Sequence, residues 1–203
     1  MCIAIVAPAG CRIKESHLIN SFEGNPDGAG IAYIDDGQVR ISKGHMKLQQ
    51  FVDSYNMLFD KFGVDNAMLA HCRIATAGEV SKDNCHPFKI RGGAMIHNGH
   101  LWTTYNTKKS DTREFAEIFH NILDYDSIVK AVNEEDFLQI IGHDKMGFLY
   151  DDGRWTIAGN WTEDAETGVL FSNSGYSSGY GHNPLASYND DWDYDNWWEK
   201  MRG

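Results

Sequence analysis

One domain of mixed strands and helices is what this chain predicts, on three observations. Its 203 residues suit one ordinary core and would be cramped as two, and its 42% hydrophobic content is that of a soluble globular protein. The third is that apolar runs bounded by turns occur together with stretches of helical spacing. The turn-bounded runs predict strands near 2–8, 29–34, 67–73, 93–97, 145–150 and 168–172, the first being the buried-type run Cys2, Ile3, Ala4, Ile5, Val6. Met46, Leu48, Phe51, Val52, Tyr55, Leu58 and Phe59 form one helical stripe. Phe115, Ile118, Phe119, Ile122 and Leu123 form a second, and Ile128, Val129, Val132, Phe137 and Ile140 a looser third. Each stripe reads as core rather than as a cofactor site. The domain is expected to cover residues 1–175, with 176–203 an appended tail in which Gly, Ser and Asn give way to Asp190, Asp191, Trp192, Asp193, Tyr194, Asp195, Trp197 and Trp198. That tail reads as flexible, as packed back on the domain, or as a partner-docking segment with tryptophan and tyrosine anchors.

Composition narrows the function classes. No stretch approaches the roughly 18 consecutive apolar residues of a membrane span, and the N-terminus lacks a basic region followed by an apolar segment and a cleavage site. A cytoplasmic protein without membrane association is expected. The four cysteines, Cys2, Cys11, Cys72 and Cys85, form no CxxC pair, so no metal site is expected and the thiols should be reduced. A net charge of −11 opposes direct binding to a nucleic-acid backbone.

Cys2 opens the chemical argument. Removal of Met1 would leave a thiol and a free α-amine on one residue, and an amine titrating at about 7.7–8.0 can serve as general base for its own thiol. Further along, Asn25, Pro26, Asp27, Gly28, Ala29, Gly30 is composed as a turn entering a strand. Arg73 ends an apolar strand within Ala70 to Gly78, where its fork could take a small carboxylate or pair with a surface acid. Asn98-Gly99 reads either as a hairpin turn or as a side-chain amide and a backbone N–H offered to one oxyanion. Asp111 with Glu114, ahead of a helix expected to start near Arg113, has the spacing of a capping box.

In this order the clusters resemble the class II glutamine amidotransferases, the glutaminase branch of the N-terminal nucleophile hydrolases. The resemblance covers residues 2–112 and combines Cys2, the Asn25 to Gly30 turn, His71-x-Arg73-x-Ala75-Thr76-x-Gly78, His86-Pro87-Phe88, His97-Asn98-Gly99 and Ser110-Asp111-Thr112. Phe171, Ser172, Asn173, Ser174 and Gly175 resemble a late strand and turn of shorter relatives. What the resemblance implies is an α+β fold of four layers, αββα, with two antiparallel sheets face to face between helices. It implies Cys2 as nucleophile, Asn98 and Gly99 as oxyanion donors, and Arg73 as clamp for the α-carboxylate of glutamine. Thr76 would assist the clamp, His86 would brace the loop over the substrate, and Asp111 would take the α-ammonium group. The implied reaction is release of ammonia from the glutamine amide through a γ-glutamyl thioester, with no metal or organic cofactor.

Two departures from the family pattern bear on the subfamily. Ile74 and Ala77 stand where the sugar-phosphate amidotransferases carry an aromatic residue and a histidine, and nothing after residue 112 is long enough for a synthase domain. The expected substrate is therefore L-glutamine, with ammonia passed to an acceptor on a partner synthase. Two alternatives stay open: a stand-alone hydrolase of larger γ-glutamyl amides, as in some short bacterial and bacteriophage-encoded relatives, or a non-enzymatic scaffold that binds another protein.

Overall fold

The first expected strand forms as β1 (Ile3–Ala7), and its alternation already separates two cores. Ile3, Ile5 and Ala7 enter one apolar cluster, whereas Ala4 and Val6 enter another. This computed structural model describes residues 2–101, 108–134 and 141–177. The chain continues as α1 (Glu15–Gly24), β2 (Ala29–Asp35), β3 (Gln38–His45), α2 (Leu48–Leu58), β4 (Met68–Cys72), β5 (Phe88–Ile90) and β6 (Gly93–Asn98). It ends with α3 (Asp111–Ile118), α4 (Tyr125–Val132), β7 (Lys145–Tyr150), β8 (Trp155–Ala158), β9 (Thr162–Glu163) and β10 (Leu170–Phe171).

The strands make two antiparallel sheets, ordered β3-β2-β4-β1-β10-β9 and β5-β6-β7-β8. Three cores define four layers. Ile5, Ile31, Met68 and Phe171 of the larger sheet pack on Leu18 and Phe22 of α1 and on Phe51 and Tyr55 of α2. Val6, Ala32 and Leu69 meet Ala94, Ile96 and Leu149 between the sheets. Met95, Met146 and Phe148 face Ala116 of α3 and Ile128 of α4. Full burial of each large apolar side chain stabilises the fold by roughly 1.5–3 kcal/mol, so the central strands, apolar on both faces, are the most strongly held. The architecture is the expected αββα sandwich.

Each expected strand forms, but β3, β5, β8, β9 and α1 had no expectation. The strand β3, Gln-Val-Arg-Ile-Ser-Lys-Gly-His, lies at a sheet edge with Val39 alone fully buried, so it carries no apolar run to read. The first stripe becomes α2 followed by a π-helical turn, Phe59–Gly63. The second stripe is not wholly core. Helix α3 buries Thr112 and Ala116, one turn apart, so Ile118 points outward, and the helix stops at Phe119, which leaves Ile122 outside its phase. Ile128, Val129 and Val132 of the third stripe lie in α4, whereas Phe137 and Ile140 fall outside the described residues.

The capping box is also corrected. Ser110 is the N-cap, its hydroxyl accepting from Arg113 N at 3.3 Å, and Asp111 is already inside the helix. Its carboxylate is drawn away to other N–H groups. The packing extends past residue 175, because Tyr176 is stacked on Phe171 with ring centroids 3.7 Å apart. The tail from 178 onward lies outside the described residues. Among the described residues no helix is long and apolar enough to cross a membrane.

Candidate active site

Strand parity decides which side chains can meet. On β4, Met68, Ala70 and Cys72 face the helices, so His71 and the following Arg73 face the second sheet. On β6, Ala94 and Ile96 face the first sheet, which puts Asn98 on that same side and turns His97 toward α3. Cys2 precedes β1 in phase with Ala4 and Val6, so it too faces the gap between the sheets. The pairing of Ile3 with Cys72 then sets Cys2 beside Arg73 at one end of the sandwich.

Short polar links knit this end together. The Cys2 sulfur accepts from Ile74 N at 3.4 Å, and its thiol reaches the Ile74 carbonyl at 3.3 Å. Asn173 Nδ2 donates to the Cys2 carbonyl at 2.9 Å. The preceding residue, Ser172, accepts at its hydroxyl from Ala4 N at 2.9 Å and from Asn98 Nδ2 at 3.0 Å. One of the two Asn98 amide protons is thus engaged in orienting the group. Ser172 and Asn173 together join the thiol strand to the Asn98-Gly99 turn.

Burial pushes the Cys2 thiol pKa up, and the Ile74 contact opposes this only in part. A thiol so placed stays protonated near neutrality. A nucleophilic role therefore requires a base beside it.

Arg73 is not a surface arginine paired with an acid. It is 2% exposed, with Nη1 donating to the Glu79 carbonyl at 3.0 Å and Nη2 to the Ala77 carbonyl at 2.7 Å. Two of its five donors therefore anchor the loop that carries Thr76, itself exposed. Gly78 in that loop has φ 72° and lies against Lys109 and Ser110, where a Cβ would strike backbone. Asn84 closes the link, donating to the Glu79 and Lys108 carbonyls at 2.9 and 2.7 Å and accepting from Ser110 N at 3.2 Å. Arg73 and Asp111 are so held in register. Asp111 is 7% exposed and accepts from Leu101 N at 2.8 Å and Thr112 N at 2.7 Å.

The Asn25 to Gly30 segment is both turn and brace. Asp27 N donates to the Arg73 carbonyl at 2.9 Å, Arg73 N to the Gly28 carbonyl at 2.8 Å, and Ala75 N to Asp27 Oδ2 at 2.8 Å. His86 lies buried against His71, ring centroids 3.9 Å apart, and edge-on to Phe88 at 4.7 Å. Neither of its ring nitrogens has a hydrogen-bond partner among the described residues. Both histidines are held neutral, mainly by burial: His71 is pushed down from 6.5 to about 3, and His86 well below its usual value. The unfolded chain takes up these protons near pH 6.5 and the folded chain does not, so stability is full above that pH and falls below it. Between pH 6.5 and 5 the loss should approach about 1.4 kcal/mol per pH unit for each ring. Thermal unfolding across that window checks this, and a flat Tm would contradict it.

The bonding roles of several site residues carried no sequence signal. Asp27, Asn84 and Ser172 act on backbone or amide groups distant in sequence, so spacing cannot reveal them. Ser172 and Asn173 were visible only as a late strand and turn. Among the described residues no group of three or more His, Cys, Asp or Glu could hold a metal ion.

Two antiparallel sheets face to face between helices, with a cysteine at the head of a central strand, define the class: the N-terminal nucleophile hydrolase fold. The chain is 30% identical over 125 residues to glutamine–fructose-6-phosphate aminotransferase (isomerizing) of Clostridium acetobutylicum, covering 53% of this chain and 20% of the relative. It is 25% identical over 181 residues to amidophosphoribosyltransferase of Pasteurella multocida, covering 72% and 35%. Among solved structures it matches glutamine phosphoribosylpyrophosphate amidotransferase from B. subtilis with TM-score 0.57 at 16% identity, over 85% of this chain and 42% of that one. No protein-family model matches. In sequence and fold the chain is similar to glutamine amidotransferases, and it spans between 20% and 35% of the length of the two curated relatives named.

Proposed function

We propose that this domain hydrolyses the side-chain amide of L-glutamine, with Cys2 as nucleophile, and passes the ammonia to an acceptor site on a partner. The observation that carries it is the convergence of Cys2, Arg73 and Asn98-Gly99 at one end of the sandwich, joined through Ser172 and Asn173. With Met1 removed, the Cys2 α-amine takes the thiol proton that burial otherwise retains. The sulfur bonds to the amide carbon, and the oxygen, now negative, is met by the second Asn98 amide proton and by Gly99 N–H. The C–N bond then breaks with the amine's proton going to the leaving nitrogen. Water adds to the thioester by the same base, releasing glutamate and restoring the thiol.

Arg73 supplies the carboxylate clamp with the donors not engaged by the loop, and Thr76 lies on the loop beside it. Asp111, whose carboxylate is held in place by Leu101 and Thr112 N–H groups, takes the α-ammonium group. His86 braces the loop over the substrate, its carbonyl packed on Gly30.

Arg73→Ala should raise KM for glutamine by roughly tenfold or more, the worth of a lost charge-assisted contact, while kcat changes less. The variant should discriminate little against 4-aminobutanamide, which lacks the α-carboxylate. An equal loss on both amides would make Arg73 a purely structural anchor of its loop. The function itself is tested by ammonia and glutamate release from glutamine, compared with N-substituted γ-glutamyl amides. Preference for the substituted amides would replace glutamine as substrate.

A further inference from the structure

We propose that Asp144, on the turn before β7, is a positioning residue that holds the Asn98-Gly99 turn in the geometry needed to receive the oxyanion. This rests on the role given to that turn above. The Asp144 carboxylate accepts from His97 Nε2 at 3.0 Å and from His100 N at 3.2 and 3.1 Å through its two oxygens. It therefore grips the residues on both sides of Asn98 and Gly99. Between the two anchors Gly99 lies so close that a Cβ there would run into the carboxylate.

The grip extends in both directions. A carboxylate only accepts, so Asp144 fixes a proton on His97 Nε2, while Nδ1 on the other side of the ring lies 2.9 Å from the Thr112 hydroxyl. That hydroxyl is also 3.2 Å from Asp111 Oδ1, which links the turn to the carboxylate assigned to the substrate amine. On its other side the His97 carbonyl accepts from His71 Nε2 at 3.0 Å. Asp144 is itself anchored, with its N–H donating to the Ile141 carbonyl at 2.9 Å and its own carbonyl against Gly159. The His97 side chain is 1% exposed and that of Asp144 18%, so these charge-assisted bonds are shielded from water. Four contacts thus converge on four consecutive residues whose middle pair carries the donors. An oxyanion donor displaced by about 1 Å loses on the order of a hundredfold in rate, which is why such a turn needs an external clamp.

The test uses the full chain with Asp144→Asn, which keeps shape, and Asp144→Ala. Three quantities are read for each: kcat and KM for glutamine, affinity for glutamate, and affinity for the γ-aldehyde analogue of glutamate, whose adduct with Cys2 places a tetrahedral oxygen at the turn. Turnover should fall about tenfold in Asp144→Asn and about a hundredfold in Asp144→Ala, aldehyde affinity should fall by matching factors, and glutamate affinity should stay within about twofold. Turnover within about twofold of wild type in both variants would overturn the proposal. So would parallel loss of glutamate and aldehyde binding, the signature of general loosening. Should Asp144→Ala fail to fold, the isosteric Asp144→Asn decides alone. Wild-type protein that neither hydrolyses glutamine nor binds the aldehyde would overturn the active-site reading itself, and this proposal with it.

Discussion

Cys2→Ala protein is expected to release ammonia from glutamine at a rate reduced roughly 10⁴-fold or more, because deleting the proposed nucleophile leaves only binding and oxyanion stabilisation. The fold should survive. Cys2 lies just outside β1, its side chain is only partly buried, and the carbonyl held by Asn173 is unchanged by the substitution. Thermal unfolding should therefore move little while activity disappears. The pH profile separates this from a generic defect. Burial raises the thiol pKa, so the wild-type rate should not follow spontaneous thiolate formation. It should rise with pH as the α-amine loses its proton, near 7.7–8.0, and level off above. Protein retaining Met1, whose amine lies in a peptide bond to Cys2, should be inactive at every pH, and intact mass tells the two forms apart.

Asn98→Ala should lower kcat by roughly 10²–10³-fold with little change in KM, since in the proposed mechanism its amide acts only on charge that develops during attack. The structure makes this substitution clean. Removing the amide deprives Ser172 of one donor, but its hydroxyl still accepts from Ala4 N, so no buried polar group is orphaned. Ser172→Ala should give a smaller loss of the same kind, because the Asn98 amide would lose the contact that aims it. A rise in KM without a fall in kcat would assign Asn98 to ground-state binding instead.

Much of this was legible in the sequence, and for definite reasons. Central strands buried on both faces, such as β1 and β4, are apolar throughout and announce themselves. Edge strands such as β3 and β9 are short or polar, and α1 buries only a narrow stripe around Leu18 and Phe22. Cys2, Arg73 and Asn98-Gly99 were readable because a motif fixes their order and parity then brings them to one end. Asp111 was placed, but its bonding was not, because Ser110 and not Asp111 caps the helix. Asp144 was silent and Ser172 was readable only as part of a late strand and turn, since a single acid or hydroxyl acting on a turn 45 or more residues away leaves no pattern.

The most direct measurement is covalent labelling of the mature protein with a diazoketone analogue of glutamine, located by peptide mass spectrometry. One adduct per chain on Cys2 is expected, prevented by excess glutamine and absent from Cys11, Cys72 and Cys85, of which Cys72 and Cys85 are buried free thiols. Labelling of another cysteine, or no labelling of Cys2 in protein that still hydrolyses glutamine, would contradict Cys2 as the nucleophile.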